Sequence, residues 1–307
     1  MLNGKDTKGR SDTRKDCNRL SGVQLRHIPD RGIREMKIYH YTDLNGLKGI
    51  VESNSLWATN FRFLNDAAEL EHGVKALESA LVYLEDELGK ENTDFILREL
   101  KIYQSRSFRD IYNISFCEEP DLLSQWRGYG AYQGVCLEFD RDELDEKLDF
   151  TGCEHVGSSV FYTKPGTTLE AKREILSFLK ENDFFGKSVD IPHYELVGAN
   201  ELIGKLVPFF KDDGFRDEKE FRIAVQVRRF NERVKFRINP HGLIPYIEIK
   251  AGKEHHFDKR LPIRGITVGP CNEPNFIEEG IRFLLSSQGY STFSSAFPGL
   301  ARSAGQN

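Results

Sequence analysis

An abrupt change of pattern at Lys37, where strand-like and helix-like runs begin to alternate, most constrains how this chain can fold. The stretch KIYHYTDLNGLKGIVESNSLWATN opens with a run in which Ile38, His40 and Thr42 share one face of a strand, because side chains alternate along an extended chain. Apolar residues at helical spacing follow a capping residue at Thr42 or Asp43, and LWAT returns to a strand pattern. The stretch therefore predicts a strand–helix–strand unit.

The rest of the chain continues this alternation. A helix is predicted to open at Asn65 to Glu69, where Asp66 and Glu69 have the spacing of a capping box, and further helices at Asp94–Gln104 and Ile277–Leu285. Strands are predicted at Tyr112–Phe116, Gly134–Phe139, Val156–Tyr162, Glu220–Val227, Val234–Ile238, Ile244–Ile249, Gly265–Val268 and Tyr290–Phe293. We expect one α+β domain over residues 36–307, with a helical insertion at about 167–212.

Composition narrows the class of protein. The 307 residues include 39% hydrophobic ones, enough for a substantial core. A formal net charge of -5 and a pI near 6.0 argue against a strongly basic nucleic-acid binder. No apolar run approaches the roughly 20 residues that a membrane span needs, and the N-terminus lacks a secretory signal. We therefore expect a cytoplasmic protein with no membrane partner.

Residues 1–35 differ from the rest of the chain. They contain no Phe, Trp or Tyr and are dense in charged residues, Gly and Ser, so they cannot bury enough apolar surface to order themselves. We expect a disordered tail, or an extension upstream of a natural start at Met36.

The cysteines and histidines do not form a recognisable metal site. The five cysteines are odd in number and scattered, with no CxxC spacing, which is typical of reduced thiols. The adjacent His255 and His256 would point in different directions in a strand. We therefore expect no metal.

His40 is the first candidate functional residue. A histidine on a strand is more often a hydrogen-bonded structural residue, but Thr42 on the same face would let a ligand meet an imidazole and a hydroxyl together. The stretch WRGYGAY places Trp126, Tyr129 and Tyr132 among glycines, where accessible rings could stack on a planar base. Packing in the core is the alternative for these rings.

The glycines of GYGAYQG are not a dinucleotide fingerprint. They precede a strand instead of following one, and no helix is expected to open from them. In DEKEFRIAV, Glu218 and Glu220 stand two apart at the start of a strand, which predicts that both carboxylates face the same side. A solvated strand entrance is the alternative, and a nuclease is disfavoured because no further carboxylates follow at metal-binding spacing.

The order of the motifs IYHYT, LWAT, FLND, SFCEE, WRGYG, GVCLEF and DEKEFRI resembles an uncharacterised bacterial domain family from about Met36 to the C-terminal strand. The opening strand–helix–strand unit with H-x-T also resembles the first motif of ADP-ribosyltransferases. That second resemblance implies a curved, split antiparallel β-core with peripheral helices and with NAD, as a substrate, in the cleft.

The same resemblance implies roles for individual residues. His40 would bind a ribose of NAD, the strand backbone at Tyr41 would pair with the carboxamide, and Thr42 would support it. Tyr129, or else Tyr132, would stack on nicotinamide beside Trp126. A planar guanidinium suits the diphosphate, which makes Arg62 and Arg127 candidates for binding it.

Glu220 would be the catalytic glutamate, with Glu218 orienting the acceptor. Cleavage of the nicotinamide–ribose bond builds positive charge on the ribose, which a fixed carboxylate stabilises. The sequence thus predicts an NAD-dependent ADP-ribosyltransferase, a toxin or anti-phage effector acting on nucleic acid or protein, with an antitoxin or immunity protein as a candidate partner. The alternatives are an NAD glycohydrolase and a nucleotide-sensing or binding module without turnover.

Overall fold

Most of the strands form one curled, mainly antiparallel sheet that closes about half of a barrel. The structure, a computed structural model, describes residues 36–64, 68–106, 111–129, 133–164, 172–173, 176–177, 203–227, 233–239, 242–252, 258–290 and 300–302. All of these belong to one unit, Met36–Asn307. Residues 1–35, for which a tail was predicted, lie outside the described part of the chain.

Twelve strands are named within the described residues. They are β1 Lys37–Asp43, β2 Ser55–Asn60, β3 Ile111–Cys117, β4 Gly134–Asp140, β5 Cys153–Ser159, β6 Phe161–Thr163, β7 Phe210–Asp212, β8 Glu220–Val227, β9 Lys235–Asn239, β10 Gly242–Lys250, β11 Gly265–Val268 and β12 Leu300–Arg302. The main sheet has the order β12-β11-β4-β1-β3-β2-β10-β9, with β8 between β3 and β5. The strands β6 and β7 form a separate parallel pair.

Helices connect and cover these strands. They are α1 Leu44–Ser53, α2 Glu69–Tyr83, α3 Glu85–Leu88, α4 Lys90–Arg106, α5 Leu123–Tyr129, α6 Arg141–Lys147 and α7 Pro274–Ser287, with 3₁₀ helices at Phe61–Phe63, Val207–Phe209 and Asp213–Glu218. None of the helices in the described ranges is long and apolar enough to cross a membrane.

The sheet divides at β3. One edge of β3 pairs with β8 along its whole length. The other edge is shared by two strands, because β1 pairs with it only at Tyr39 and Cys117, whereas β2 pairs with it at Thr59–Asn113 and Asn60–Tyr112. We call the gap between β1 and β2 along this edge the sheet split.

Two apolar layers hold this arrangement together. On one face of the sheet, Ile114 and Leu137 pack with residues of α1 and α7 in the main core. On the other face, α2 and α4 pack on each other and against Phe61 and Phe210. Each fully buried Leu or Ile contributes roughly 1.5–3 kcal/mol to stability.

The strand–helix–strand unit predicted from the opening stretch is confirmed. The Asp43 carboxylate accepts a hydrogen bond from Gly46 N at 2.7 Å, which makes Asp43 the N-cap of α1. The helix ends at Asn54, whose φ of 49° is left-handed. The strands predicted at Glu220–Val227 and Gly265–Val268 are also confirmed.

Other predicted elements differ from the structure. The helix expected to open at Asn65 begins instead at Glu69, after Ala68, which makes no side-chain cap; Asp66 lies outside the described residues. The strand expected at Val156–Tyr162 is two strands, β5 and β6, which join different sheets.

The least regular parts of the prediction fall largely beyond the described residues. Most of the insertion expected at about 167–212 lies outside them, and its described end contains helical residues 203–206, a 3₁₀ helix and β7. The strand expected at Tyr290–Phe293 is also largely outside them, and the described C-terminal strand is β12.

Candidate functional site

Five charged side chains meet on the face of β3 and β8 that α2 covers. We call them the charged cluster: Glu69, Lys211, Glu218, Glu220 and Arg222. Four of them are almost fully buried, with side-chain exposures of 1–7%, and Glu218 is 27% exposed. Ion pairs buried to this degree are rare in proteins unless the charges are mutually compensated.

Glu220 is saturated with donors. Arg222 donates from Nε to Oε1 at 2.6 Å and from Nη2 to Oε2 at 2.7 Å, while Lys211 Nζ donates to Oε2 at 3.1 Å. Burial by itself would raise the pKa of Glu220, but Arg222, Lys211 and the Ser115 hydroxyl lower it to about 2. Glu220 is therefore a carboxylate at neutral pH.

Arg222 and Lys211 tie the rest of the cluster together. Arg222 Nη2 donates to Glu69 Oε2 at 2.6 Å, and Arg222 Nη1 donates to the Pro208 carbonyl at 2.8 Å. Lys211 Nζ lies 3.1 Å from Glu69 and 2.7 Å from Glu218. Burial opposes the charge of Lys211, but the surrounding carboxylates raise its pKa, so it stays protonated.

The sequence did not predict Glu69 as part of this site. It was assigned to a capping box, but its carboxylate reaches across to β8 instead. Arg222 is a charged residue in FRIAV, which otherwise has the pattern of a buried strand. Such a residue indicates a buried ion pair, and this signal was not used to predict the site. Lys211, in FFKD, carried the same signal.

The two predicted catalytic glutamates do lie together, for a different reason than the one expected. Only Glu220 is in the strand, and Glu218 ends the preceding 3₁₀ helix. Lys219 between them has a φ of 44°, so the chain kinks and strand alternation does not relate the two side chains. Lys211, which bonds both carboxylates, brings them together.

Two tyrosines border the cluster. Tyr162 Oη accepts a hydrogen bond from Glu220 N at 2.8 Å. Tyr129 is 44% exposed, and burial of its hydroxyl, with the nearby charges of Glu220 and Glu218, raises the pKa of Tyr129 to about 12. Tyr129 is therefore a partly exposed aromatic residue with a protonated hydroxyl at the edge of the cluster. Tyr132 lies outside the described residues.

The interpretation of Trp126 as an accessible ring is wrong. The stretch that was read as a glycine-rich loop forms α5, and Trp126 is 4% exposed on its inner side. Its indole packs edge-on against Tyr41 at 4.8 Å and donates to Asp121 Oδ1 at 2.8 Å. The ring is part of the packing beneath α5 and has no face open for stacking.

His40 lies at the sheet split. Its Nδ1 is 2.9 Å from the Ser115 carbonyl of β3, so this nitrogen must carry the proton. Burial lowers the pKa of His40, Arg237 lowers it further, and the hydrogen bond to Ser115 opposes them. The imidazole is therefore neutral at neutral pH, and Nε2 is a hydrogen-bond acceptor.

His40 and the charged cluster are on opposite faces of the sheet. The register places Tyr39 beside Cys117 and Cys117 beside Glu220, so His40 faces the other way, against Phe116. Ser115 lies between the two, since its carbonyl accepts from His40, its hydroxyl helps to lower the pKa of Glu220, and it pairs with Arg222 in the register.

The other residues predicted to bind NAD are placed as follows. Thr42 lies over the first turn of α1, where a Cβ at Gly46 would collide with its hydroxyl. The Tyr41 side chain is buried, and its hydroxyl accepts from Leu122 N at 3.1 Å. Arg62 and Arg127 are exposed, and neither forms an ion pair with the charged cluster in the described residues.

A second polar group lines the split on the side of β2. Arg237 of β9 donates from Nη2 to Thr59 Oγ1 at 3.0 Å and lies over the Trp57 ring at 5.9 Å. Trp57 stacks on Tyr246 at 4.6 Å. The sequence did not predict Arg237, although the alternation in VKFRIN places it on one face of a strand.

Metal ligands and reactive thiols are two further kinds of functional group. Within the ranges that the structure describes, no group of three or more His, Cys, Asp or Glu could hold a metal ion. The four cysteines in those ranges are free thiols, and burial raises the pKa of Cys117 to about 11. Cys117 is thus a thiol at neutral pH.

Comparison with known proteins adds one finding. No curated protein and no solved structure matches the chain. Residues 125–223 match a family model described as "Protein of unknown function (DUF2971)". The matched segment contains four members of the charged cluster: Lys211, Glu218, Glu220 and Arg222. Over this segment the chain is similar to an uncharacterised domain family, in agreement with the resemblance of its motifs.

Proposed function

We propose that the chain is an NAD-dependent ADP-ribosyltransferase whose reacting carboxylate is Glu218. The observation that carries this proposal is the charge of the cluster. Three carboxylates share two cations, so the cluster has one excess negative charge in a largely buried place. A buried charge of this kind needs a positive partner.

NAD supplies a positive charge both in the bound state and during the reaction. Its nicotinamide ring is positively charged, and cleavage of the nicotinamide–ribose bond leaves positive charge on the ribose. A carboxylate already fixed nearby stabilises that charge without reorganising during the reaction. Glu218 is the member of the cluster with accessible surface, at 27% exposure, and Lys211 fixes its position at 2.7 Å.

Tyr129 supports the same assignment. Tyr129 is 44% exposed beside these carboxylates, and an aromatic ring in this position suits stacking on a planar nicotinamide. Because Trp126 is buried, Tyr129 is the ring of this stretch that the described residues leave accessible.

Glu220 has a positioning role in this proposal. Both of its oxygens are occupied by Arg222 and Lys211, so it does not reach a substrate in this arrangement. It holds Lys211, and Lys211 in turn holds Glu218. This exchanges the roles that the sequence resemblance implied for Glu218 and Glu220.

His40 fits as a ribose-binding residue. Its neutral ring offers Nε2 as an acceptor for a hydroxyl, and its position at the split is independent of the charged cluster. The macromolecule that receives ADP-ribose is proposed to be a nucleic acid or a protein, as expected of a toxin or anti-phage effector.

The proposal is tested with labelled NAD and separate pools of RNA, single-stranded DNA and cell protein. We expect release of nicotinamide together with macromolecular label. Glu218→Gln is expected to lower the rate by about 100-fold, because a transition-state charge loses its partner. Glu119→Gln is the matched control, since Glu119 is an exposed carboxylate paired with Lys219, and it should react normally.

Other outcomes would identify the rival functions. Nicotinamide release without label would replace the transferase with an NAD glycohydrolase. Saturable NAD binding with no nicotinamide release would favour a binding module without turnover. That alternative is supported by Glu220, whose two carboxylate oxygens are already bonded to Arg222 and Lys211. Full activity of Glu218→Gln would remove Glu218 from the reaction.

A further inference from the structure

Asn113 of β3 has a buried amide without a hydrogen bond in the described part of the chain. The residue is 2% exposed, and neither Nδ2 nor Oδ1 has a partner among those residues. An unsatisfied buried polar group costs on the order of 1–3 kcal/mol, so native proteins seldom retain one without a reason.

Its position in the sheet suggests that reason. Asn113 lies where β2 leaves β3, directly opposite Thr59 in the register. Two residues further along β3 is Ser115, whose carbonyl accepts from His40 at the split. Asn113 and Ser115 point to the same sheet face, and the two residues are about 7 Å apart along the strand.

A second unpartnered polar group lies on the neighbouring strand. Trp57 Nε1 is buried and has no hydrogen-bond partner within the described ranges, and Trp57 is two residues from Thr59 on the same face of β2. Because β2 and β3 are antiparallel, continuing their register would bring Trp57 opposite Ser115, which is where the strands separate. Two strands that border the split thus each carry a polar group without a partner.

We propose that Asn113 is a ligand-recognition residue that binds the edge of a planar group carrying a hydrogen-bond donor beside an acceptor, with the Trp57 N–H as a second donor. The side-chain amide of Asn offers one donor and one acceptor side by side and pairs with such an edge through two hydrogen bonds. The choice of ligand rests on the proposed use of NAD, which carries two such edges: the carboxamide of nicotinamide and the amino edge of adenine.

This arrangement would serve specificity. A buried amide that is satisfied only by its ligand rejects analogues that lack the matching donor or acceptor, because they leave the amide unpaired. Arg237, which bonds Thr59 opposite Asn113, places a positive charge next to this edge and suits a ligand that also carries phosphate.

The test compares Asn113→Leu, which keeps a similar volume, with Thr93→Val as the control. Thr93 is 1% exposed, and its Oγ1 is also without a partner, but it lies on α4, which packs against α2 and α3. Binding is measured by calorimetry with NAD, nicotinamide mononucleotide, ADP-ribose and the NAD analogue whose carboxamide is a carboxylate. The melting temperature of each variant is measured without ligand.

We expect both variants to melt at or above the temperature of the unmutated protein, because each loses an unsatisfied polar group. Asn113→Leu alone should bind NAD about tenfold or more weakly. Weaker binding of nicotinamide mononucleotide, together with poor binding of the carboxylate analogue by the unmutated protein, would identify the carboxamide as the bound edge. Weaker binding of ADP-ribose would identify adenine.

The proposal is overturned if Asn113→Leu binds every probe as the unmutated protein does, or if the unmutated protein binds none of them. It is also overturned if Asn113→Leu melts well below Thr93→Val, because the amide would then have a structural partner. Binding is measured apart from turnover, so saturable binding without nicotinamide release would contradict the transferase and leave the recognition role of Asn113 standing.

Discussion

The charged cluster and the sheet split are neighbours on β3 but treat their polar groups in opposite ways. In the cluster, Glu220 and Arg222 are buried and fully engaged, with three hydrogen bonds to the one carboxylate. At the split, Asn113 is equally buried, and none of the residues that the structure describes bonds its amide. Asn113 is only two residues along β3 from Ser115, which pairs with Arg222 of the cluster.

This difference suggests that the charged cluster stabilises the fold, whereas the sheet split binds a ligand. A saturated network fixes the positions of its members, and removing one member leaves buried charges unpaired. An unsatisfied group is a cost to the folded chain that only a partner from outside can offset. Glu218 lies between these extremes, since it belongs to the network and remains partly exposed. The following variants test whether the two regions behave in this way.

The largest effect is expected for Arg222→Met. The substitution leaves Glu220 and Glu69 buried with Lys211 alone, and breaking a buried pair typically costs about 3–5 kcal/mol. Urea denaturation should show this loss of the free energy of unfolding. The control is Arg264→Met, which breaks a pair with Glu143 whose side chains are 57% and 32% exposed, and which should cost less than about 1 kcal/mol. Equal losses would show that the cluster is not the more important network.

The next largest effect is a pH dependence of the free energy of unfolding that is due to Glu220. Its pKa is about 2 in the folded protein and near 4.5 when unfolded, so its contribution is complete above pH 4.5 and disappears as the pH falls towards 2. The difference corresponds to about 3 kcal/mol. Glu220→Gln should be less stable by that order at neutral pH and should approach the unmutated protein near pH 2. A constant difference across this range would exclude Glu220 as the source.

A smaller effect is expected at His40, on the far side of Ser115. His40→Phe removes the donor to the Ser115 carbonyl and should cost about 1–2 kcal/mol, whereas His40→Gln can keep that hydrogen bond. The pKa of His40 is lower in the folded protein than the value of 6.5 expected in the unfolded chain. Between these two pKa values the unfolded chain binds more protons, so the free energy of unfolding should fall as the pH drops below 6.5. His40→Gln should lack this fall. The same slope in both proteins would contradict a neutral His40.

Local patterns predicted much of the fold. The strands β1 and β8 and the helix α1 carry strong periodicity over a few residues, and that periodicity is set by which face is buried. The order of the elements predicted an α+β domain, whereas the curved antiparallel sheet was expected from the resemblance of the opening motif. The sequence could not predict that β3 pairs with β8 on one edge and with both β1 and β2 on the other. Pairing between strands that are far apart in the sequence depends on contacts that no local pattern encodes.

The candidate site was predicted in part. Glu218, Glu220, His40 and Tyr129 were named from the sequence, and the structure places three of them at or beside the charged cluster. Glu69 was misassigned because a glutamate at capping-box spacing and a glutamate in a buried ion pair have the same sequence signature. Trp126 was misassigned because its glycine neighbours suggested a loop, whereas Gly128 lies within α5.

The smallest effect is expected for Trp57→Phe, at the split. The substitution removes the unpartnered indole N–H but keeps a ring to stack on Tyr246. Loss of an unsatisfied donor offsets the loss of ring volume, so the free energy of unfolding should change by less than about 1 kcal/mol. Trp57→Leu, which also removes the stacked ring, is the matched comparison and should cost more. If Trp57→Phe were destabilised as strongly as Trp57→Leu, the N–H would have a structural partner, and the split would resemble the saturated cluster after all.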